Sequence, residues 1–310
     1  MTANHNSAPY DAIIIGAGPA GLTCAIFLGR YRRRVLVLDD RKPRNYASHG
    51  IHGFLGQHGI LPGELLARGR AEALASGVEF CDERASQIEQ VGDIFEVTTS
   101  TSGVLRARRI VLAYGVRDTL PDIPGIEQYY GNSVHHCPDC DGYEARDKRI
   151  GVIAWGKSAV GLALKLLQWS DDIVIFTHGH RREWDDELNS KLLAEQITVK
   201  TEKIAALEGS DGCVETAVLS TGERVPVRAI FFSIHVERTC SLAEKLGCEC
   251  ATEPGEPDIL VDEHRHTTVE GVWAVGDIVA GSKLAITAAA DGAIAAIAIN
   301  KSLLPPSRRV

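Results

Sequence analysis

The chain has 310 residues, of which 45% are hydrophobic and 24% are charged. These proportions are typical of a globular protein long enough for two domains, and they exclude a disordered or fibrous chain. With 33 Lys and Arg against 41 Asp and Glu, the net charge of −8 provides no overall positive field that would attract nucleic acid or anionic lipid. We therefore expect no polyanionic partner.

The beginning of the chain and its longest apolar stretch bear on location. Residues 1–10 lack the apolar core, preceded by Lys or Arg, that a secretory signal requires. Residues 284–299 are interrupted by Asp291 and rich in Ala and Gly, so they are too short and too weakly apolar to span a bilayer. The sequence predicts a cytoplasmic protein without a transmembrane helix.

The first ordered segment is predicted to be a βαβ unit. An apolar run at residues 11–15 precedes a glycine cluster at 16–21, which is followed by a helical pattern at 22–30 and a second apolar run at 34–38. Asp39 ends that run. Glycines at such a turn let backbone N–H groups approach a pyrophosphate at the helix N-terminus, and the acid can accept ribose hydroxyls. This pattern predicts a dinucleotide site; the alternative is a glycine-rich turn that binds nothing.

A second Rossmann-like unit is predicted in the middle of the chain. Residues 150–154 and 173–176 are apolar strand patterns on either side of a helical pattern at 158–169. The chain ends with a strand and glycine turn at 271–277 and an Ala-rich helix from about 285 to 300.

Stretches rich in Pro and Gly suggest where the chain crosses between domains, at residues 120–125 and 248–257. We expect an α/β fold with two Rossmann-like, three-layer dinucleotide-binding domains, the second inserted in the first. The predicted bounds are residues 1–118 and 244–310 for the first domain and 119–243 for the second.

One pair among the eight cysteines is distinctive. Cys137 and Cys140 have the C-x-x-C spacing that can close a reversible disulfide, and in a reducing compartment such a pair is usually catalytic or metal-binding. Pro138 can set the first turn of a helix, whose dipole, together with His136 if it is protonated, would lower a thiol pKa. Only a thiolate is a useful nucleophile.

The alternative for this pair is half of a structural zinc site. Such a site would be completed by Cys248 and Cys250 or by His264 and His266, but these pairs lack common zinc-ligand spacing. We expect no metal, and we expect Cys248 and Cys250 to be ordinary thiols near a loop.

Three motifs, in this order, resemble those of the low-molecular-weight thioredoxin reductase family, within the flavoproteins that have two dinucleotide domains. Residues 16–21 resemble its FAD fingerprint, residues 137–142 its C-x-x-C-D-G redox motif, and residues 271–277 its C-terminal flavin motif. The resemblance covers nearly the whole chain. It implies FAD as cofactor, a homodimer, and a thioredoxin-like protein or a small dithiol or disulfide as substrate.

The resemblance also implies roles for single residues. Cys140 would contact the flavin, Cys137 would exchange with the substrate, and Asp141 would donate or accept the proton. A flavin accepts two electrons and a dithiol supplies two when it closes to a disulfide, so the pair suits this exchange. Asp277 would bind the ribityl chain, and the last helix would direct its N-terminus at the flavin pyrimidine. The expected cofactor-binding residues are Gly16, Gly18, Pro19, Ala20, Gly21, Asp39, Gly276, Asp277 and Ala285.

The second nucleotide motif departs from the family pattern Gly-x-Gly-x-x-Ala/Gly. Here it reads Ala154, Trp155 and Gly156, followed by Lys157 and Ser158. The first glycine is therefore Ala, and a bulky indole follows it. Since a pyrophosphate approaches such a turn closely only where the residues are small, Trp155 is a steric obstacle.

The surroundings of both nucleotides also differ from the family. The His-Arg-Arg clamp for the NADPH 2′-phosphate is replaced by Thr-His-Gly at 177–179, while His-Arg-Arg occurs at 180–182, so the clamp is either shifted or lost. Tyr114 stands in the usual Ala-Thr-Gly segment, and Lys283 and Leu284 replace Arg-Gln before the last helix.

These departures predict a thioredoxin-reductase-like flavoprotein that does not use NADPH well. One option is oxidation of a dithiol through Cys137 and Cys140 to FAD, and onward to oxygen, a quinone or another carrier, as the dithiol-oxidase branch of the family implies. Another is reduction of a protein disulfide with electrons from a non-nicotinamide donor. A further option is that Trp155 stacks on a different planar ligand, even a second FAD, in the altered site.

Two alternatives stay open. The first is a conventional NADPH-dependent thioredoxin (disulfide) reductase that tolerates the altered turn. The second is a non-catalytic redox sensor whose flavin and disulfide report the cellular state to a partner. Sustained turnover separates the sensor from either enzyme.

Overall fold

The structure is a computed structural model that describes residues 8–233, 235–251 and 258–308. Its internal contacts divide the chain into two compact units, and the chain passes through the first unit more than once. Unit 1 contains Met1–Tyr46, Phe54–Asp118 and Val236–Val310, and unit 2 contains Ala47–Gly53 and Thr119–His235.

The described residues form short strands and helices that alternate along much of the chain. The strands are β1 (Ala12–Ile15), β2 (Val35–Leu38), β3 (Glu79–Cys81), β4 (Ala85–Val91), β5 (Ile94–Thr99), β6 (Val104–Ala107), β7 (Ile110–Leu112), β8 (Val116–Thr119), β9 (Val134–His135), β10 (Ile150–Ile153), β11 (Ile173–Phe176), β12 (Thr198–Lys200), β13 (Ile204–Ser210), β14 (Cys213–Leu219), β15 (Arg224–Pro226), β16 (Ala229–Phe232), β17 (His235–Arg238) and β18 (Val272–Ala274). The helices are α1 (Pro19–Arg30), α2 (Pro62–Ala75), α3 (Ile126–Tyr129), α4 (Pro138–Asp141), α5 (Lys157–Leu166), α6 (Asp186–Ala194), α7 (Leu242–Lys245) and α8 (Ala285–Ser302), and Pro306–Arg308 is a 3-10 helix.

Unit 1 is built on a parallel sheet with the order β18-β7-β1-β2-β3. The central strands are wholly apolar and buried, as expected of a sheet that is covered on both faces. Helices α1 and α8 cover one face, and the antiparallel sheet β4-β5-β6 covers the other. A Cβ atom on Gly292 would lie 2.1 Å from Ala20 O, so glycine is needed where α8 meets α1.

Unit 2 repeats this arrangement. Its parallel sheet has the order β12-β11-β10-β16-β9. Helices α5 and α6 pack on one face, and the antiparallel sheet β13-β14-β15 packs on the other. The expected α/β fold with two Rossmann-like, three-layer units is therefore confirmed.

The contacts divide the chain differently from the predicted domain bounds at two places. Residues 47–53 group with unit 2, where His49 N–H donates to Gly131 O at 3.2 Å. The chain re-enters unit 1 at Val236 rather than at residue 244, because β17 pairs with β8 and Val236 packs on the unit 1 core. The chain thus crosses between the units at residues 235–236, before the stretch 248–257 where a crossing was expected. Residues 252–257 of that stretch lie outside the described residues.

Helix bounds also differ slightly from the patterns. The helix expected at 158–169 begins at Lys157 and ends at Leu166, and the last helix continues to Ser302. None of the helices in the described part of the chain is long and apolar enough to cross a bilayer.

Candidate active site

The C-x-x-C pair of unit 2 is a disulfide. Cys137 and Cys140 are bonded through their sulfurs, with their Cα atoms 5.3 Å apart. Cys137 caps the short helix α4, which Pro138 begins, and its sulfur accepts a hydrogen bond from Cys140 N–H at 3.1 Å. After reduction this N–H would stabilise a thiolate on Cys137. Cys137 and Cys140 are both half-buried, so neither is sealed from solvent.

Asp141 ends α4 and faces a buried histidine. Its Oδ2 lies 3.5 Å from Nδ1 of His135, whose side chain is only 8% exposed. Burial raises the pKa of Asp141 to about 7, and the charge of Glu144 acts in the same direction. Asp141 can therefore release or take up a proton near neutral pH, as a general acid or base must.

His135 is held in its neutral form. Burial lowers the pKa of His135 to about 4, the positive charges of His136, Lys148 and His52 act in the same direction, and a hydrogen bond with the Asn132 main chain opposes them. Its ring packs against Phe231 with the centroids 5.4 Å apart. The whole residue is buried, at 7% exposure.

Two residues near this centre were missed by sequence reasoning. Nδ1 of His52 lies 3.5 Å from Oε1 of Glu144, which follows Asp141 by three residues. An acidic residue one helical turn beyond the redox motif was a signal available in the sequence for Glu144. Nothing in the sequence indicated His52, because the segment that carries it is far from the redox motif in chain order.

The glycine of the C-x-x-C-D-G motif has a packing role. A Cβ atom on Gly142 would lie 2.6 Å from Pro138 O and 2.7 Å from the ring of Trp169. Real Cβ atoms do not approach so closely, so the indole of Trp169 can lie against the end of α4 only because residue 142 is glycine.

In unit 1, the first glycine turn joins β1 to α1 as predicted. Gly16 has a φ of 110°, and Gly21 lies so close to the turn that a Cβ atom there would be 2.0 Å from Gly16 O. These two glycines are required by the backbone itself. A Cβ atom on Gly18, the N-cap of α1, would meet no neighbouring atom within 4 Å, so the space beside it is open for a ligand to approach.

Asp39 follows β2 and reaches the same turn. Its Oδ1 accepts a hydrogen bond from Ala17 N–H at 3.2 Å, and its side chain is 17% exposed. Burial raises the pKa of Asp39, while the hydrogen bond from Ala17 acts in the opposite direction. The turn and the acid therefore lie together, which is the arrangement that phosphate and ribose recognition requires.

The C-terminal motif places Gly276 and Asp277 after β18. A Cβ atom on Gly276, whose φ is 78°, would lie 2.9 Å from Cβ of Ala20, which follows Pro19 in the first turn of α1, so the two motifs are in contact. Asp277 accepts a hydrogen bond from Arg44 Nη1 at 2.8 Å. Sequence reasoning did not identify Arg44.

Helix α8 begins at Ala285 as predicted. Leu284 N–H donates to Thr287 Oγ1 at 3.2 Å. Two residues that depart from the family pattern, Lys283 and Tyr114, have different surroundings. Lys283 Nζ forms an ion pair with Asp258 Oδ1 at 2.5 Å. Tyr114 packs in the unit 1 core, and its buried hydroxyl has no hydrogen-bond partner among the described residues.

The second glycine turn is covered by its own chain. The ring of His180 stacks on Trp155 with centroids 3.9 Å apart and planes 15° apart. Glu183 N–H donates to Trp155 O at 3.3 Å, and Gly156 forms a bridge with Glu183. The segment with His-Arg-Arg thus lies on the turn, and one face of the indole that was expected to receive a planar ligand is taken by His180.

The remainder of the second turn is open. Gly156 is the N-cap of α5, and Lys157 and Ser158 are exposed in its first turn. Ala154 is 1% exposed and directly follows β10. The structure therefore brings together the residues expected at this site. The stacked rings of Trp155 and His180 leave less room for a ligand to reach them.

Cys248 and Cys250 belong to unit 1, whereas the redox pair belongs to unit 2. Cys248 is buried and contacts Thr267 Oγ1 at 3.6 Å, and Cys250 contacts Cys248 O at 3.6 Å. Burial raises the pKa of both thiols. Both are therefore protonated at neutral pH, which agrees with their interpretation as ordinary thiols.

Comparison with known proteins agrees with this geometry. Residues 10–292 match the family described as pyridine nucleotide-disulphide oxidoreductase. A thioredoxin reductase of Treponema pallidum is 31% identical over 305 residues, which are 93% of this chain and 95% of that protein. A probable thioredoxin reductase of Arthroderma benhamiae is 33% identical over 186 residues, or 58% of this chain, and the match spans less than half, 46%, of that protein.

A solved structure gives the same result for the fold. The crystal structure of HlmI superposes with a TM-score of 0.90 at 37% identity, covering 98% of this chain and 94% of that one.

Proposed function

Because the chain belongs to the low-molecular-weight thioredoxin reductase family of pyridine nucleotide-disulphide oxidoreductases, we propose that this flavin disulfide oxidoreductase works without NADPH as its main donor. In the direction we favour, Cys137 and Cys140 take two electrons from a dithiol substrate. The observation that carries this proposal is the stack of His180 on Trp155 over the second nucleotide turn.

The residues of unit 1 fit FAD. The open space beside Gly18 would admit the pyrophosphate at the N-terminus of α1, and Asp39 would accept ribose hydroxyls. Asp277, oriented by Arg44, would bind the ribityl chain. When bound, FAD would supply two-electron redox chemistry, with oxygen, a quinone or another carrier as the further acceptor.

The cysteines exchange with the substrate by two displacements. A substrate thiolate attacks Cys137 Sγ, breaks the Cys137–Cys140 bond and releases the Cys140 thiolate. The second substrate thiol attacks the mixed disulfide, which frees the substrate as a disulfide and leaves Cys137 reduced. Two electrons and two protons have then moved from the substrate to the enzyme. When the Cys137–Cys140 bond forms again, the two cysteines give up these two electrons and two protons, and a bound FAD would be the electron acceptor.

Asp141 would donate and take back one of these protons. Its pKa of about 7 lets it donate to the Cys140 thiolate as that group leaves and take the proton back when the disulfide re-forms. The neutral ring of His135 lies against its carboxyl group and adds no positive charge that would hold Asp141 ionised.

The altered turn argues against efficient use of NADPH. A nucleotide would have to displace His180 from Trp155, and a stacked ring pair is worth roughly 0.5–1.5 kcal/mol, about a 2- to 13-fold loss in affinity. The methyl group of Ala154 and the indole add bulk where the family has glycine and a small residue. These effects weaken binding together, and each can be removed by substitution.

The test is an anaerobic titration of the FAD-loaded protein, followed at the oxidised flavin band. Dithiothreitol is expected to bleach the flavin, and one equivalent of NADPH is expected to bleach it at least tenfold more slowly. The double variant A154G/W155G should accelerate bleaching by NADPH, whereas W155F, which keeps a ring for His180, should not. Rapid stoichiometric bleaching of the unaltered protein by NADPH would overturn the proposal.

A conventional NADPH-dependent reductase is the second candidate. The exposed Arg181 and Arg182, three residues beyond the family's clamp position, favour it, as does the similarity to a named thioredoxin reductase. A protein that is reduced once and shows no sustained turnover with any donor and acceptor pair would instead be a redox sensor. A flavin-to-protein ratio near two would indicate a second FAD on Trp155, and light scattering of the holoprotein tests the expected homodimer.

A further inference from the structure

A row of four titratable side chains crosses unit 2 beside the disulfide. It runs from His135 through Asp141 and Glu144 to His52, and the His135–Asp141 and Glu144–His52 separations are both 3.5 Å. His135 is the most buried member, at 8% exposure, and Glu144 is the most exposed, at 35%. Exposure therefore rises from His135 through Asp141 to Glu144, and His52, at 23%, lies beside the most exposed member.

The segment that carries His52 is anchored to unit 2 by main-chain contacts. His49 N–H donates to Gly131 O, and a Cβ atom on Gly131 would lie 2.1 Å from Ala47 O. Ser48 Oγ donates to Gly50 O at 2.8 Å and braces the turn before His52. These contacts hold the imidazole of His52 next to the Glu144 carboxylate.

Glu144 is placed to act on Asp141 through charge. It follows Asp141 by three residues, and its buried Oε2 has no hydrogen-bond partner among the described residues. Its main-chain carbonyl accepts from Lys148 Nζ at 2.7 Å. A carboxylate that is half-buried is poorly screened by water, so its charge makes ionisation of a neighbouring carboxyl unfavourable.

We propose that Glu144, held by His52, is a positioning residue that controls when Asp141 carries the proton used by the Cys137–Cys140 pair. This inference rests on the proposed acid–base function of Asp141. The other charged groups around the row are Lys148 and His136, which act on His135, and the exposed Lys165–Asp139 pair next to α4. Besides burial, the charge of Glu144 is the influence that raises the pKa of Asp141.

The experiment measures thiol–disulfide exchange directly, so it does not depend on which donor reduces the flavin. FAD-loaded protein is mixed with dithiothreitol at a series of pH values, and the rate of opening of the Cys137–Cys140 disulfide is followed by alkylation and mass spectrometry. The unaltered protein should show an inflection near pH 7 that D141N abolishes. If D141N keeps the inflection, the proposed function of Asp141 fails.

Variants of the outer pair then test the inference itself. E144Q removes a negative charge and should move the inflection down by about 1 pH unit. H52Q should move it up, because the Glu144 charge loses the group that partly offsets it, and the double variant E144Q/H52Q should behave like E144Q alone.

A matched control is E187Q, an exposed carboxylate paired with Lys191 on α6, which should leave the profile unchanged. E144D should restore the profile of the unaltered protein. If D141N abolishes the inflection but E144Q leaves it in place, the inference is overturned while the function of Asp141 stands. Additive effects of E144Q and H52Q would likewise show that His52 does not act through Glu144.

Discussion

Arg44 Nη1 donates a hydrogen bond to Asp277 Oδ2 at 2.8 Å, across 233 positions of sequence. The same guanidinium contacts Asp118 through Nε and Nη2, at 2.9 and 2.6 Å. Asp118 is only 4% exposed and Arg44 15%. The charge of Arg44 therefore stabilises a buried carboxylate and orients a second one at the proposed flavin site.

Replacing Arg44 by Met should destabilise unit 1 strongly. The buried Asp118 carboxylate would lose its cation, a change that typically costs about 3–5 kcal/mol of unfolding free energy. Asp277 would also lose its orienting contact, so the FAD content of the purified protein should fall. Thermal unfolding and flavin absorbance measure the two effects. The control R224Q breaks an exposed ion pair with Glu208 and should change neither.

Replacing Gly18 by Ala should separate cofactor binding from folding. The added methyl group meets no protein atom and the φ of −71° suits alanine, so the fold should be kept. The methyl group would occupy the space where a pyrophosphate approaches, and FAD content should fall at least tenfold. Circular dichroism and flavin absorbance distinguish the two outcomes. Full FAD content in G18A would argue against this turn as the cofactor site; G63A, in open space on α2, is the matched control.

Replacing Gly142 by Ala should destabilise unit 2. The new methyl group would collide with Pro138 O and the Trp169 ring, and such overpacking typically costs about 1–3 kcal/mol. The variant G161A adds the same group in open space on α5 and should be neutral or stabilising. Denaturant unfolding of both variants checks the difference. Equal stability would show that the loop around α4 yields to accommodate the methyl group.

Asp141 and His135 should contribute opposite pH dependences to stability. The pKa of Asp141 is raised from 3.8 to about 7, so its contribution is lost as pH rises from about 4 to 7. The pKa of His135 is lowered from 6.5 to about 4, so its contribution is lost as pH falls through the same window. The two slopes, each up to about 1.4 kcal/mol per pH unit, largely cancel in the unaltered protein.

Single substitutions should expose each slope. In D141N the thermal midpoint should fall as pH is lowered from 6.5 to 4, because only the His135 contribution is left. In H135Q it should fall as pH is raised from 4 to 7. Scanning calorimetry in matched buffers measures both slopes. The exposed D139N variant serves as the control, and parallel profiles for all four proteins would contradict the assignment.

Several site features were predictable because the interactions that create them are local. The first glycine turn depends on contacts of Gly21 with Gly16, five residues away, and on the φ of Gly16. The placement of Cys137 and Cys140 around Pro138 depends on a single helical turn. Residue type and spacing are sufficient to specify such short-range geometry.

Other features could not be read from spacing. The bounds of the second unit depend on β17 pairing with β8, and residues 47–53 join that unit through a contact with Gly131. The stack of His180 on Trp155 joins two loops. The sequence predicted Trp155 to be a steric obstacle and residues 180–182 to be a shifted clamp, and neither prediction indicated a contact between them.

The sequence by itself determined the fold class, the family and the identity of the redox pair, because apolar periodicity and glycine spacing act over a few residues. Only the tertiary structure decided how the site is charged. Burial and the charge of Glu144 raise the pKa of Asp141. Asp277 accepts a hydrogen bond from Arg44, which is far away in the sequence. Burial and long-range charge arise from chain segments that meet only in the folded protein, so no local pattern encodes them.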